Sequence, residues 1–103
     1  MAYDKALAAL ADPTRRALYE RLRRREHAVG ELARALGVTQ PAVSQHLRVL
    51  RKARLVRERR AGTRHYFTAH HEGLAELRRY VETLWDDVLE AYAASSGERE
   101  ETR

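Results

Sequence analysis

Residues 29–53 read VGELARALGVTQPAVSQHLRVLRKA, two short helical patterns separated by one glycine. In the first, Leu32, Ala33 and Leu36 recur at a spacing that puts them on one helical face. Gly37 follows where a chain leaving a helix takes a positive φ, which glycine adopts without a Cβ clash. Thr39 is suited to cap a second helix, and Pro41 is tolerated in its first turn, where the N–H it lacks would have no helical partner. Val43, Leu47 and Leu50 then make an inward stripe, while Gln40, Pro41, Ser44, Gln45, Arg48, Arg51 and Lys52 share the opposite face. Two helices joined by a tight turn, the second presenting amides, hydroxyls and guanidiniums, form the helix-turn-helix pattern.

The whole chain bounds that reading. With 103 residues and 44% apolar content it can build one modest domain, small enough for a partner subunit to share the burial. Cysteine is absent, which removes disulfides, thiolate metal sites and thiol catalysis together. Neither a long apolar run nor a signal-peptide core is present, so a soluble cytoplasmic protein is expected, with no membrane partner.

The formal charge of +5 is unevenly spread. Residues 1–70 hold 16 basic against 6 acidic side chains, and residues 71–103 hold 4 against 9. Within Thr39–His65 there are 8 basic residues and one acid, so positive charge peaks on and after the second helix of the motif. A compositional preference for arginine explains Arg over Lys but not this segregation of sign. A phosphate-binding surface explains the segregation.

Upstream, residues 3–11 make a short alanine-rich helix with Tyr3, Leu7 and Leu10 on one side. Asp12-Pro13 restarts the helix, aspartate as cap and proline in the first turn. This second helix turns Ala17, Leu18 and Leu22 inward and ends in Arg23-Arg24-Arg25, cations suited to a solvated helix C-terminus. Ala28 occupies the cap position of what would otherwise be a capping box with Glu31.

After Ala53 the period changes from helical to alternating. Residues 55–60, the turn Ala61-Gly62-Thr63 and residues 64–69 read as strand, turn, strand, with Arg59, Arg60 and Arg64 at a basic tip. A hairpin directly after such a helix is a wing, whose arginines reach phosphates or a minor groove. Residues 72–94 form the longest helix, with a stripe of Leu74, Leu77, Val81, Leu84 and Val88 widened by Trp85, Leu89 and Tyr92. A domain this small cannot cover all of it, and a large exposed apolar patch marks an interface. A homodimer through this helix and the first is therefore expected, by way of Tyr3, Leu7, Leu10, Leu84, Trp85, Val88, Leu89 and Tyr92. The domain is expected to span 1–94 and a disordered polar tail 95–103.

These pieces together resemble the ArsR/SmtB winged helix-turn-helix repressors. The likeness runs from about Leu7 to Tyr92 and is carried by ALADPTRRALYERL, by VGELARALGVTQPAVSQHLRVLRKARLV and by the hairpin RRAGTRHYF. It implies a mainly α fold with a small β-hairpin, a two-fold dimer through the first and last helices, and repression of a promoter. It also implies that the second helix of the motif enters the major groove. Carried over by position, the base and phosphate contacts fall on Thr39, Gln40, Pro41, Ser44, Gln45 and Arg48, and the wing contacts on Arg59, Arg60 and Arg64. The chain departs from the metal-sensing members. Where arsenic and cadmium sensors have a Cys-x-Cys pair it reads His27-Ala28-Val29-Gly30, and its last helix has Glu82, Asp86, Asp87 and Glu90 but no histidine. It resembles a cysteine-free, non-metal-sensing branch, and no metal or cofactor is expected.

The side chains support a division of labour. Carboxamides of Gln40 and Gln45 suit bidentate pairing with adenine, Arg48 suits either guanine or a phosphate, and Thr39 and Ser44 suit backbone oxygens or short base contacts. Two such helices about 34–36 Å apart would select an inverted repeat in double-stranded DNA. His46 sits near the inward face, and Ser44 and His46 point apart, so they form no nucleophile–base pair. His70-His71 lack a third ligand for a metal shared across a dimer. No glycine-rich phosphate loop or acid pair suggests an enzyme. A metal-responsive sensor and an RNA-binding or antitoxin-like winged helix are the alternatives. Only Tyr66 and Phe67 lie near the basic surface to stack unpaired bases, which favours duplex DNA.

Overall fold

Asp12 divides the first two helices. In the computed structural model, which describes residues 1–101 and side chains through Ser95, Asp12 caps α2 (Pro13–Arg24) by accepting from the Arg15 backbone N–H at 3.0 Å. That bond holds its carboxyl below the usual range. The same break ends α1 (Asp4–Ala11), whose last carbonyls are satisfied by guanidiniums: Arg15 Nε donates to Ala9 O at 2.8 Å and Arg16 Nη1 to Leu10 O at 3.0 Å. Ala6 and Ala9 turn inward from α1, Leu10 leans on the core, and Leu7 stays exposed. α2 buries Leu18 and Leu22 as expected and also Tyr19, while Ala17 is half-buried.

The wing is larger than a hairpin. Arg25 (φ −165°, ψ 170°) extends the chain beyond α2, and β1 (His27–Ala28) pairs antiparallel with β3 (Arg64–Ala69), matching His27 to Phe67 and Ala28 to Tyr66. β3 also pairs with β2 (Val56–Ala61), so the sheet order is β1-β3-β2. β1 gives the inner edge of β3 a hydrogen-bonding partner, which the hairpin alone would leave unpaired. The β2–β3 turn is Gly62-Thr63, and only Gly62 has positive φ (63°), the pattern of a type II′ turn.

α3 (Val29–Leu36) begins at Ala28, whose backbone N–H donates to Glu31 Oε1 at 3.1 Å, half of a capping box. Gly37 (φ 66°, ψ 34°) ends it in the left-handed region. Thr39 Oγ1 then accepts from Ala42 N at 3.3 Å and opens α4 (Gln40–Lys52). Val43, Leu47 and Leu50 lie fully inward, packed with Leu18, Leu22, Leu32 and Leu55.

α4 stops at Arg54, which takes φ 58° without being glycine. Its guanidinium is paired with Glu72 and Glu76 on α5 (Glu72–Glu101), and its carbonyl accepts from Gly73 N at 2.9 Å. The start of the last helix is thereby locked onto the end of α4. α5 packs on α1, where Tyr3 and Tyr80 stack with ring centroids 3.9 Å apart. From Val81 to Ser95 every residue is exposed. The last helix expected over 72–94 runs on to Glu101, through most of the stretch expected as a disordered tail over 95–103; residues 102–103 and the side chains after Ser95 lie outside the described residues. Among the described residues no helix is long and apolar enough to cross a membrane.

Candidate nucleic-acid interface

The exposed face of α4 and the wing enclose one open groove of about 810 Å³. Gln40, Ser44, Arg48 and Arg51 line it from the helix, Arg34 from α3, and Arg64, His65 and Tyr66 from β3. Burial of Val43, Leu47 and Leu50 fixes the rotation of α4, so this polar face is turned out of necessity. Thr39, Pro41 and Gln45 are exposed on the same helix without lining the groove. Among the described residues no carboxylate pairs with Arg34, Arg48 or Arg64, so each is available to an incoming anion.

Arg59 and Arg60 of β2 are engaged, whereas Arg57 on the same strand has no acidic partner among the described residues. Arg59 Nε and Nη2 donate to the two carboxylate oxygens of Glu26 at 2.9 and 2.6 Å, and its guanidinium lies 4.9 Å from the Tyr66 ring centroid. Alternation along β2 turns Arg59 toward the connection after α2, away from the position of a free phosphate ligand that the hairpin pattern suggests. The Arg59 hydrogen bonds hold the Glu26 carboxyl below its usual range. Arg60 Nε stands 3.8 Å from Glu58 Oε1.

Glu58, the one acid within Thr39–His65, lies on the wall of this groove. Its Oε2 accepts from His65 Nδ1 at 2.9 Å, and its Oε1 is 3.5 Å from Arg51 Nη1. The His65 bond is the first cause holding its carboxyl below the usual range, with Arg51 and Arg60 adding to it. Arg34 and Glu58 are members of the groove that the motif spacing alone does not nominate. Their only signal in the sequence is charge: Arg34 sits opposite the apolar face of its helix, and Glu58 interrupts a run of cations.

The apolar residues expected at a dimer contact stand open on α5. Leu84, Trp85, Val88, Leu89 and Tyr92 are between 46% and 72% exposed, and Leu7 of α1 joins them. Tyr3 is partly covered by its stack on Tyr80, and Leu10 by the core. His46 is half-buried, and His70 keeps a buried Nδ1 with no partner among the described residues. No group of three His, Cys, Asp or Glu side chains among those residues is placed to hold a metal ion.

Comparison with known proteins decides the family. The model for bacterial regulatory proteins of the arsR family matches residues 12–58. HTH-type transcriptional regulator Rv2034 of Mycobacterium tuberculosis is 54% identical over 90 residues, 87% of this chain and 84% of that protein. The chain belongs to the arsR family. It is a DNA-binding winged helix-turn-helix transcriptional regulator, not an enzyme. Transcriptional repressor SmtB homolog of Synechocystis is 43% identical over 72% of the chain and 56% of its own length. Among solved structures, the homodimeric winged helix-turn-helix DNA-binding domain Mb0332 of Mycobacterium bovis superposes with a TM-score of 0.67 at 31% identity, covering 84% of this chain and 80% of that one. In this arsR-family chain the matched stretch holds α2, α3, α4 and the start of β2, the elements that position the groove.

Proposed function

We propose that this arsR-family regulator is a homodimeric, metal-independent repressor of an inverted-repeat operator, acting in the cytoplasm. Each α4 lies in a major groove, where Gln40 and Gln45 read bases and Arg48 reads a base or holds a phosphate. Thr39, Pro41 and Ser44 seat the helix start, and the wing sets Arg60 and Arg64 on the backbone or minor groove. Arg59 serves by fixing the wing through Glu26.

The observation that carries this reading is the outward polar ridge on α4, flush with a groove whose free cations are Arg34, Arg48 and Arg64. The open apolar surface of α5 supports the dimer, as does the homodimeric state of the Mycobacterium bovis relative. Repression is supported by the SmtB homolog, a repressor by name. The lack of cysteine supports metal independence.

Selection of bound duplexes from a random pool, with and without chelator, tests it. Enrichment of a palindrome regardless of chelator is the expected result. Recovery that depends on metal would replace this reading with a metal sensor, and enrichment of structured RNA would replace the duplex.

A further inference from the structure

The groove built for an anion already contains one. Glu58 is held from three elements: Arg51 from the last turn of α4, Arg60 from its own strand and His65 from β3. Its side chain is only 17% exposed, yet it lines the same groove as Ser44, Arg48 and Arg64. Glu58 and Arg60 are two apart on β2 and share a face of the strand, while Arg60 and His65 are cross-strand partners. Because a carboxylate only accepts, the His65 ring must carry its proton on Nδ1 to bond it. The carboxylate thus occupies a position on two arginines that a nucleic-acid phosphate would otherwise take.

We propose that Glu58 is a specificity-determining residue of the DNA-binding surface, an internal anion that holds Arg51 and Arg60 until a correctly seated duplex replaces it. The inference rests on the groove facing DNA, as proposed above. A loosely seated duplex gains its affinity from phosphates and little else. Against such a duplex Glu58 acts twice: it repels nearby phosphates, and it withholds cations that would neutralise them. A cognate site, docked through the α4 ridge, gains base contacts that offset this cost. Discrimination then comes from a repulsive element placed against the wrong partner, as well as from attraction to the right one.

The test uses the full chain and fluorescence anisotropy on two labelled duplexes, the selected operator and its scrambled version, across a salt series. Glu58→Gln keeps the shape and removes the charge. It is expected to tighten the scrambled duplex by about fivefold, the upper range for exposed charge pairs, with a smaller gain on the operator. The salt slope on scrambled DNA should steepen by roughly one, the signature of one more phosphate neutralised. Combining Glu58→Gln with Arg51→Ala should abolish most of that gain. Should Glu58→Gln fail to fold, Glu58→Asp draws the carboxylate back by one methylene and should move discrimination the same way by less. Unchanged discrimination in the folded variants, or weaker binding to scrambled DNA, would overturn the inference. Arg48→Ala separates this from the underlying reading: if it leaves binding to both duplexes intact, the groove is not the DNA surface.

Discussion

Glu26, in the connection after α2, grips Arg59 of the wing through both carboxylate oxygens, across 33 positions of sequence. The pair joins the tip-proximal half of β2 to the helical body, and Tyr66 lies under the same guanidinium. Its value is geometric. An exposed ion pair adds little to stability, but this one limits where the wing stands beside α4.

Glu26→Gln should therefore leave the melting temperature at neutral pH nearly unchanged while backbone amides near Gly62 exchange faster with deuterium. Affinity for all duplexes should fall together. The pH dependence has a definite sign. Glu26, Glu31 and Glu58 all have carboxyls held below the ordinary 4.5, so their stabilisation is present above that value and is lost as pH falls through their folded-state values. Thermal melts from about pH 5 downward should show stability falling, less steeply in Glu26→Gln.

Ala28 leaves one half of a capping box empty. Its backbone is already extended at φ −83°, ψ 157°, and Glu31 already accepts from its N–H. Ala28→Ser adds the missing acceptor and should raise stability by about 0.5–2 kcal/mol in urea unfolding. An unchanged midpoint would mean that the start of α3 needs no side-chain cap.

Gly73 is where α5 touches the end of α4. A Cβ there would collide with the carbonyl oxygen of Ala53, a backbone atom with no rotamer to relieve the clash. Gly73→Ala should cost about 1–3 kcal/mol or more, and its urea midpoint checks this. A neutral substitution would show that the junction can part without loss.

The proposed dimer has a simple readout. Leu84→Asp places a charge in the middle of the open apolar surface, and Trp85→Ala removes its largest ring. Both should shift sedimentation toward the monomer and weaken operator binding, with Leu84→Asp the stronger. A dimer of unchanged mass in both would move the contact away from this part of α5.

The readable parts of this sequence are those where one residue type solves a local problem. Asp12-Pro13 can hardly be other than a helix start, Gly37 a left-handed exit, and Gly62-Thr63 a tight turn. Long-range relations carry no such mark. β1 has two residues, too few for any period, and exists because β3 offers it an edge. The end of α4 is hidden because Arg54, not glycine, takes the positive φ, compensated by partners on α5. On α1 the apolar pattern favours Leu7, yet close packing turns the small Ala6 and Ala9 inward. Within the candidate interface the α4 ridge follows from helical period alone. The separate duties of Arg59, Arg60 and Arg64 do not, since Arg59 is taken by Glu26 from outside the wing, Arg60 by Glu58 on its own strand, and Arg64 by no carboxylate among the described residues.

Affinities of Gln45→Ala and Arg64→Ala for the selected operator and its scrambled version, measured across salt, test most directly whether the α4 ridge reads bases. Gln45→Ala should cost about 1–3 kcal/mol on the operator and almost nothing on scrambled DNA. Arg64→Ala should weaken both alike and lower the salt slope by roughly one. Equal losses from Gln45→Ala on the two duplexes would contradict the account.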